Sequence, residues 1–385
     1  MCAAYPSRRH SMGTAITDTY EKGQKLLATD PIRAVVVVVA VVLFLDLGWQ
    51  LASGQTPISE LGVLVKDGLM RGLFFGLAGI GLSMTYSILN FANFSHGDLV
   101  TSGAFAGMMA TYVVAGGFGA EANLGSLLLV GAGGSVFGAS LGIGVATSPL
   151  AVLVGVLVAG VSAIGLALAI DRLAYRPIRD RSGIALLITS IGVAFALRYL
   201  IQFIFGPGRR GVTASGDVPS IAVPLVDGTV SVNLHEISLV VVAVVLMGGL
   251  HLLLQRTKLG KAMRAMADNE DLARVTGIPT ERVIRSTWII GAGLAGVAGY
   301  MFVIWNGTLH WFQGWVLLLP VFAAVILGGI GSIYGAIVGG LVIGLAMSVS
   351  VVWIPTGLSR AAAFVVMIVM LLVRPEGIFS GRSTA

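Results

Sequence analysis

With 385 residues, 56% of them hydrophobic and only 11% charged, the chain cannot clothe the surface of a soluble domain, which takes about 25% charged residues. The net charge of +6 does not point to nucleic acid, because the basic residues gather in short loops between apolar runs, as cytoplasmic loops of membrane proteins do. The single cysteine, Cys2, excludes an internal disulfide and a cysteine metal cluster. No apolar stretch precedes it, so it is not expected to carry a lipid anchor.

Residues 1–33 are polar and hold Arg8, Arg9, Lys22, Lys25 and Arg33. That is too long for a signal-peptide n-region and is expected to be a cytoplasmic N-terminal segment. A Val-rich run follows at 34–52. Its apolar residues from Ala34 to Leu45 each favour insertion by roughly 0.3–0.6 kcal/mol, against up to about 3 kcal/mol for Asp46 if it were central. A retained first membrane helix is the expectation. Further apolar segments lie near 69–89, 98–116, 124–146, 148–170, 184–205, 237–255, 287–306, 316–330, 333–353 and 358–373.

Runs of about 18 residues or more cross roughly 30 Å of hydrocarbon. They must be helices, because in lipid every backbone polar group is satisfied internally, and the runs are continuous rather than alternating as barrel strands are. The expected fold is all-α, a polytopic transmembrane helical bundle of about 9–11 helices. One membrane domain would cover 34–377, followed by a cytoplasmic tail over 378–385. The 53 glycines suit close helix packing. Gly72 with Gly76, Gly103 with Gly107, Gly335 with Gly339 and Gly340 with Gly344 are spaced to share one helix face, and packing within one bundle is their expected use.

The basic loops set an orientation. The 171–183 loop holds Arg172, Arg176, Arg179 and Arg181, the 256–286 loop holds seven basic residues from Arg256 to Arg285, and the C-terminus holds Arg374 and Arg382. All three, with the N-terminus, are placed in the cytoplasm. The 206–236 loop then faces outside. An even number of crossings must separate the N-terminus from the 171–183 loop, yet five apolar segments lie between them. The segment at 124–146 carries Gly131, Gly133, Gly134, Gly138, Gly142 and Gly144, each weakening a helix by about 1 kcal/mol relative to alanine. It is expected not to make a simple crossing.

Polar groups inside this chain are few, so their positions are informative. Asn90, Asn93, Ser95, His96 and Asp98 fall between two apolar segments, with Gly97 permitting a break. A broken helix exposes backbone groups to a passing solute. They are candidates to line a translocation path, or else to cap a helix end at the bilayer interface. Ser95, His96 and Asp98 do not make a hydrolase: a triad is defined by geometry rather than adjacency, and no nucleophile-elbow context surrounds them. Arg198 sits in an apolar run and either pairs with a carboxylate or snorkels to the outer interface, with snorkelling the expectation. His251 is expected to be structural, and Trp311 and Trp315 beside His310 read as an aromatic belt. The Gly-rich stretches 97–107 and 328–344 are loosely alike and could be the broken helices of an inverted repeat.

The loop from Arg256 to Pro279 is too long and polar for a turn. It reads as a helix, a break at Gly277 and a restart set by Pro279. Leu272 and Val275 share one face, with Met263 and Met266 on an earlier turn. Such a helix suits a groove on another protein, or is a solvated basic loop. No phosphate-cradling Gly-x-x-x-x-Gly-Lys-Ser/Thr loop occurs, so any ATP hydrolysis must come from a partner.

Asp271-Leu272-Ala273, with Gly277 six residues after Asp271, resembles the Glu-Ala-Ala…Gly coupling loop of ABC importer permeases. Three further stretches resemble those of the branched-chain amino acid permeases within that group. These are Asn90-Phe-Ala-Asn93-Phe-Ser95-His96-Gly97-Asp98, Asp171-Arg-Leu-Ala-Tyr175-Arg176-Pro177, and the run Gly328-Gly329-Ile-Gly331-Ser332-Ile-Tyr334-Gly335-Ala336-Ile-Val-Gly339-Gly340. Arg374-Pro375-Glu376-Gly377 fits that family's ending. Here Tyr334 stands where the family usually has proline, Asp98 replaces glutamate, and 34–52 and 117–147 look like additions to the family core.

The resemblance implies a membrane permease subunit, with no catalytic or metal site, that imports branched-chain amino acids or similar small amino-acid-like solutes. It implies a second related permease, two cytoplasmic P-loop ATPases that hold the ATP and magnesium, and an extracytoplasmic solute-binding protein. Asp271, Leu272, Ala273 and Gly277 would couple to an ATPase, and Gly97, Gly328, Gly329, Gly331, Gly335, Gly339 and Gly340 would be structural glycines. Urea or short amides compete as substrates. A stand-alone secondary transporter or channel, using Asp98 or Asp46, and a non-transport scaffold are the other readings.

Overall fold

The computed structural model describes residues 31–116, 143–212 and 218–379. Among these, nine helices are long and apolar enough to cross a membrane, and a tenth apolar helix is shorter. The bundle is all-α and polytopic, as the hydropathy requires. In chain order the helices are α1 (Pro31–Ser53), α2 (Ile58–Leu89), α3 (His96–Ala115), α4 (Pro149–Ile170), α5 (Gly183–Phe205), α6 (Leu234–Arg256), α7 (Lys258–Asp268), α8 (Glu270–Val275), α9 (Thr280–Asn306), the shorter α10 (Gln313–Gly328), α11 (Ile333–Val349) and α12 (Ser359–Val373). The 124–146 segment, expected to make no simple crossing, lies outside the described residues except for its last four positions.

Small residues bring the central helices together. α2 lies against α11 along Gly68, Gly72 and Gly76: a Cβ on Gly72 would stand 2.7 Å from Leu341 Cα, and one on Gly340 would stand 2.5 Å from Gly76 N. α10 crosses α11 where Gly328 meets Gly335, and α3 crosses α9 where Gly103 meets Gly296. Each crossing is backbone against backbone, which is how helices associate where lipid tails compete for every apolar side chain. The spaced glycines therefore serve packing within one bundle. By contrast, α1 leaves Val35 to Leu45 largely exposed and touches the bundle through Arg33 Nη2, which donates to Val373 O at 3.2 Å, and through Asp46 Oδ2, which accepts from Trp353 Nε1 at 2.8 Å.

Short strands gather at one end of the bundle. β1 (Arg210–Gly211) pairs with β4 (Thr308–Leu309), and β2 (Ser220–Leu225) pairs with β3 (Gly228–Asn233) as an antiparallel hairpin. The hairpin signal was present in the alternation of Ile221, Val223, Val230 and Val232 around Asp227-Gly228. The hairpin docks on α2. Pro57, which precedes α2, has no side-chain acceptor for the first turn. Asp227 supplies one from the hairpin: its carboxylate accepts from Ser59 N at 2.9 Å and from Ile58 N. Lys66 adds an ion pair to Glu236 at 2.7 Å, and Glu236 closes a capping box with Asn233 at the start of α6.

Desolvation pushes the Asp227 carboxyl up, but the hydrogen bonds from Ser59 and Ile58 together outweigh it and hold it below the usual carboxylate range. A depressed acid stabilises above its unfolded value of about 4 and loses that contribution as pH falls through the folded value. Hydrogen exchange at the Ile58 and Ser59 amides should therefore be slow at neutral pH, relative to intrinsic rates, and lose protection below about pH 4. In Asp227→Ala the two amides should exchange freely at both.

Candidate functional site

α2 ends at Leu89 because Asn90 turns left-handed, with φ 54°. It is the one non-glycine residue among those described with positive φ. The chain then doubles back. His96 opens α3 with its Nε2 2.9 Å from Ala78 O. Ala78 lies three turns before the end of α2, so α3 begins roughly 16 Å inside the bundle. The polar cluster thus lies where the chain breaks between α2 and α3, inside the bundle.

Four of its five polar residues are fully enclosed by the chain: Asn93, Ser95, His96 and Asp98 are each at most 1% exposed, whereas Asn90 is exposed. Asn93 Oδ1 accepts from Ser95 N at 3.1 Å, Ser95 Oγ at 2.7 Å and Tyr175 OH at 3.2 Å. Phe94 N donates to Ser190 Oγ at 3.1 Å. Gly97 lies so close to Gly314 of α10 that a Cβ would stand 2.6 Å from Gly314 O. In this conformation the cluster frames the break and lines none of the cavities described below. His96 is turned to α2, while Asp98 is turned to α5.

That second contact overturns the snorkelling expectation for Arg198. Arg198 Nε and Nη2 donate to Asp98 Oδ1 and Oδ2 at 3.1 and 2.9 Å, and the pair is buried. Arg198 Cζ also lies 4.2 Å from the ring centre of Trp315, 5.1 Å from that of Phe195 and 5.3 Å from that of Phe312. Carboxylate and aromatic faces together hold a guanidinium that lipid would reject. Beyond it, Phe94 packs on Phe322 with ring centres 5.2 Å apart. Phe195 and Tyr199 stack at 6.3 Å and remain 43% and 58% exposed. An aromatic wall on α5 and α10 therefore faces out of the chain, backed by the ion pair.

The sequence motifs meet in pairs. Tyr175 of the second motif lies 2.8 Å from Ser95 Oγ of the first and stacks on Trp288. The C-terminal motif closes on the Gly-rich one: Ile378 N and Phe379 N donate to Leu327 O and Gly328 O, each at 3.0 Å, and Gly377 lies against Gly329. Gly329 and Gly331 turn with φ 104° and 88°, and Ser83 of α2 accepts from Gly331 N at 3.0 Å. Tyr334, the departure from the expected proline, hydrogen-bonds His251, so His251 ties α6 to α11.

The Arg256–Pro279 loop is two helices rather than one. It breaks at Asn269, whose side chain accepts from Leu272 N at 2.9 Å, and again at Gly277, with φ 83°. The Asn269 cap, followed by Glu270 and Asp271, was a readable start signal. Ala273 is buried, whereas Leu272 and Val275 are 61% and 84% exposed. Met263 and Met266, placed on the apolar face from the sequence, point into the bundle instead. Met263 lines a small void with Met84, Ile88, Gly331 and Ile333. Met263, Met266 and Ala273 share one apolar cluster with Phe91 and Tyr175. The loop thus does not touch the 90–98 cluster through its exposed tip, but is joined through packed side chains to the break between α2 and α3 and to the second break, the Gly329–Gly331 turn between α10 and α11.

The family model described as branched-chain amino acid transport system, permease component, matches residues 64–373. The chain belongs to that family. This permease is 28% identical over 312 residues to the high-affinity branched-chain amino acid transport system permease protein LivH of Salmonella typhimurium, an alignment covering 81% of this chain and 93% of that one. It is also 28% identical to the corresponding protein BraD of Pseudomonas aeruginosa, with 81% and 93% covered. The autoinducer 2 import system permease protein LsrD of Yersinia enterocolitica is 25% identical, with 79% and 82% covered. No solved structure matches. The permease is a multi-pass membrane protein and a transport component.

Proposed function

We propose that this permease is the membrane subunit of an ATP-driven importer for branched-chain amino acids or similar small solutes. The observation that carries the reading is the α7–α8 arm. It offers an exposed Leu272–Val275 tip next to Asp271 and Gly277, while Met263, Met266 and Ala273 anchor its other face to the helix breaks. A partner that grips the tip moves the breaks. That partner is a cytoplasmic P-loop ATPase carrying ATP and magnesium, and this chain takes no cofactor of its own. ATP-driven closure of two such ATPases would switch the path between outward and inward access.

Both termini, the Arg172–Arg181 loop and the α7–α8 arm lie in the cytoplasm in this reading. Four described helices, α1 to α4, precede that loop, and the orientation requires that 124–146 add no net crossing. The β2–β3 hairpin then lies outside, where a solute-binding protein docks. The aromatic wall of α5 and α10 faces a second, related permease, and the path runs between the two. Asn93, Ser95, His96 and Asp98 hold that wall in place, and Asn90 marks its inner end.

The test is a mild-detergent purification of the permease from its native membrane, with partners identified by mass spectrometry. P-loop ATPases and a second permease should accompany it. Leu272→Glu with Val275→Glu, which puts charge on a buried interface core, should cut ATPase recovery by roughly 30-fold or more. The thermal midpoint of the permease itself should hold. Gly277→Val should weaken coupling too, because a left-handed residue with a Cβ costs about 1–2 kcal/mol. A permease that emerges alone, or transports undiminished with both substitutions, is a stand-alone carrier.

A further inference from the structure

The loop after α4 and the start of α9 bound an open cavity of about 910 Å³. Four arginines line it, Arg172 and Arg176 from the loop and Arg282 and Arg285 from α9, against two carboxylates, Asp171 and Glu281. Arg179, outside the lining, engages both carboxylates, each at 2.7 Å. Arg176 Nε stands 3.8 Å from Glu281, with both side chains 62% exposed. Arg172, Arg282 and Arg285 have no ion-pair partner among the described residues. Five guanidiniums thus share two carboxylates, and the cavity keeps a positive excess.

The surroundings decide what kind of anion fits. The rim is apolar, made by Leu168, Ala169 and Leu173, and Leu173 is fully presented outward at 78% exposure. It continues an outer stripe of α4, where Leu153, Leu157 and Val161 recur at intervals of four and are exposed. Residues at that spacing share one helix face, and on a membrane helix an outward apolar face meets acyl chains. Gly165 comes next on the stripe, exposed and with nothing within 4 Å of its Cβ position. The stripe therefore has a notch one turn short of the rim. A free anion needs no such groove, and an acidic protein in water would not meet a lipid-facing stripe. A phospholipid fits both halves. Its phosphate oxygens match the guanidinium fork, and a chain lies along α4. Basic pockets between membrane helices hold anionic headgroups in this manner.

We propose that this cavity binds the headgroup of one anionic phospholipid. Arg172 and Arg285, one unpaired guanidinium from each wall, hold the phosphate, and the stripe from Leu153 to Gly165 seats an acyl chain. The lipid would clamp the end of α4 to α9, the helix that follows the α7–α8 arm. The site is independent of what the permease carries.

The full chain, delipidated in a neutral detergent, is titrated with phosphatidylglycerol and with phosphatidylcholine, and bound lipids are counted by native mass spectrometry. One phosphatidylglycerol should bind about tenfold or more tightly than phosphatidylcholine, the usual margin for hydrogen bonds to a charged group. Arg172→Gln with Arg285→Gln should remove that difference. Arg181→Gln with Arg256→Gln, at exposed arginines outside the cavity, should keep it. Gly165→Phe fills the notch with every charge in place, and should weaken phosphatidylglycerol binding severalfold. Equal binding of the two lipids by the wild type overturns the proposal. So does an equal loss in both arginine variants, which would mean diffuse attraction to a basic face. Inorganic phosphate that displaces the lipid at equal concentration, with Gly165→Phe silent, would assign the cavity to a free anion. Loss of the ATPases from the purification above in the Arg172→Gln, Arg285→Gln variant, at unchanged lipid binding, would assign it to an acidic protein surface.

Discussion

Asp98→Ala should cost the protein about 3–5 kcal/mol, because it strands a buried guanidinium with no carboxylate in place of a bidentate pair. Arg198 cannot swing to water, since Trp315, Phe195 and Phe312 enclose it. The thermal midpoint of the purified chain should fall steeply, and recovery from the membrane with it. Replacing both partners by apolar residues, Asp98→Leu with Arg198→Met, should restore most of the loss, since swapping a buried pair for packed side chains of similar size is often neutral or stabilising. If the single change costs less than about 1 kcal/mol, the site is hydrated and the pair is not the brace inferred here. Should the double variant be stable yet fail in transport, the pair is kept for the movement of α5 against α3 rather than for folding.

Gly340→Leu should be of similar size by a different route. A Cβ there meets Gly72 O and the backbone of Gly76, not the tip of a side chain, so neither helix can yield locally. Overpacking a tight core ordinarily costs about 1–3 kcal/mol, and this contact lies at the upper end because the obstacle is main chain. Gly248→Ala on α6 is the control. Nothing lies within 4 Å of its Cβ position, so only helix propensity acts, and it favours alanine by up to about 1 kcal/mol. Thermal midpoints of the two variants, measured in the same detergent, should move in opposite directions. A fall of equal size in both would mean that glycine flexibility, not close approach, is what α11 needs.

Much of this was legible in the chain itself. Hydropathy marks a helical membrane protein because a backbone in hydrocarbon has no water to satisfy it, and that constraint is local. Breaks, caps and close-packing glycines are local too, so Asn90 to Asp98, the Gly-rich run at 328–340 and the exposed Leu272–Val275 face could be placed in advance. Pairings across the chain could not. Arg198 and Asp98 are 100 positions apart, and nothing near Arg198 distinguishes a snorkelling arginine from a paired one. The inward turn of Met263 and Met266 depends on which helix lies beside α7. Ile58 to Gly68 extends α2 beyond its apolar run because a hairpin from 168 positions away caps it. Arg71 in the middle of α2, Arg209 beyond α5 and Arg360 at the start of α12 come together only because those elements meet. Sequence by itself determined that the chain is a bundle of apolar helices and where the 90–98 and 328–332 breaks fall, since solvation and backbone satisfaction act residue by residue. The tertiary structure alone decided which charges are neutralised and which are left for a ligand, since that depends on helices brought together by packing.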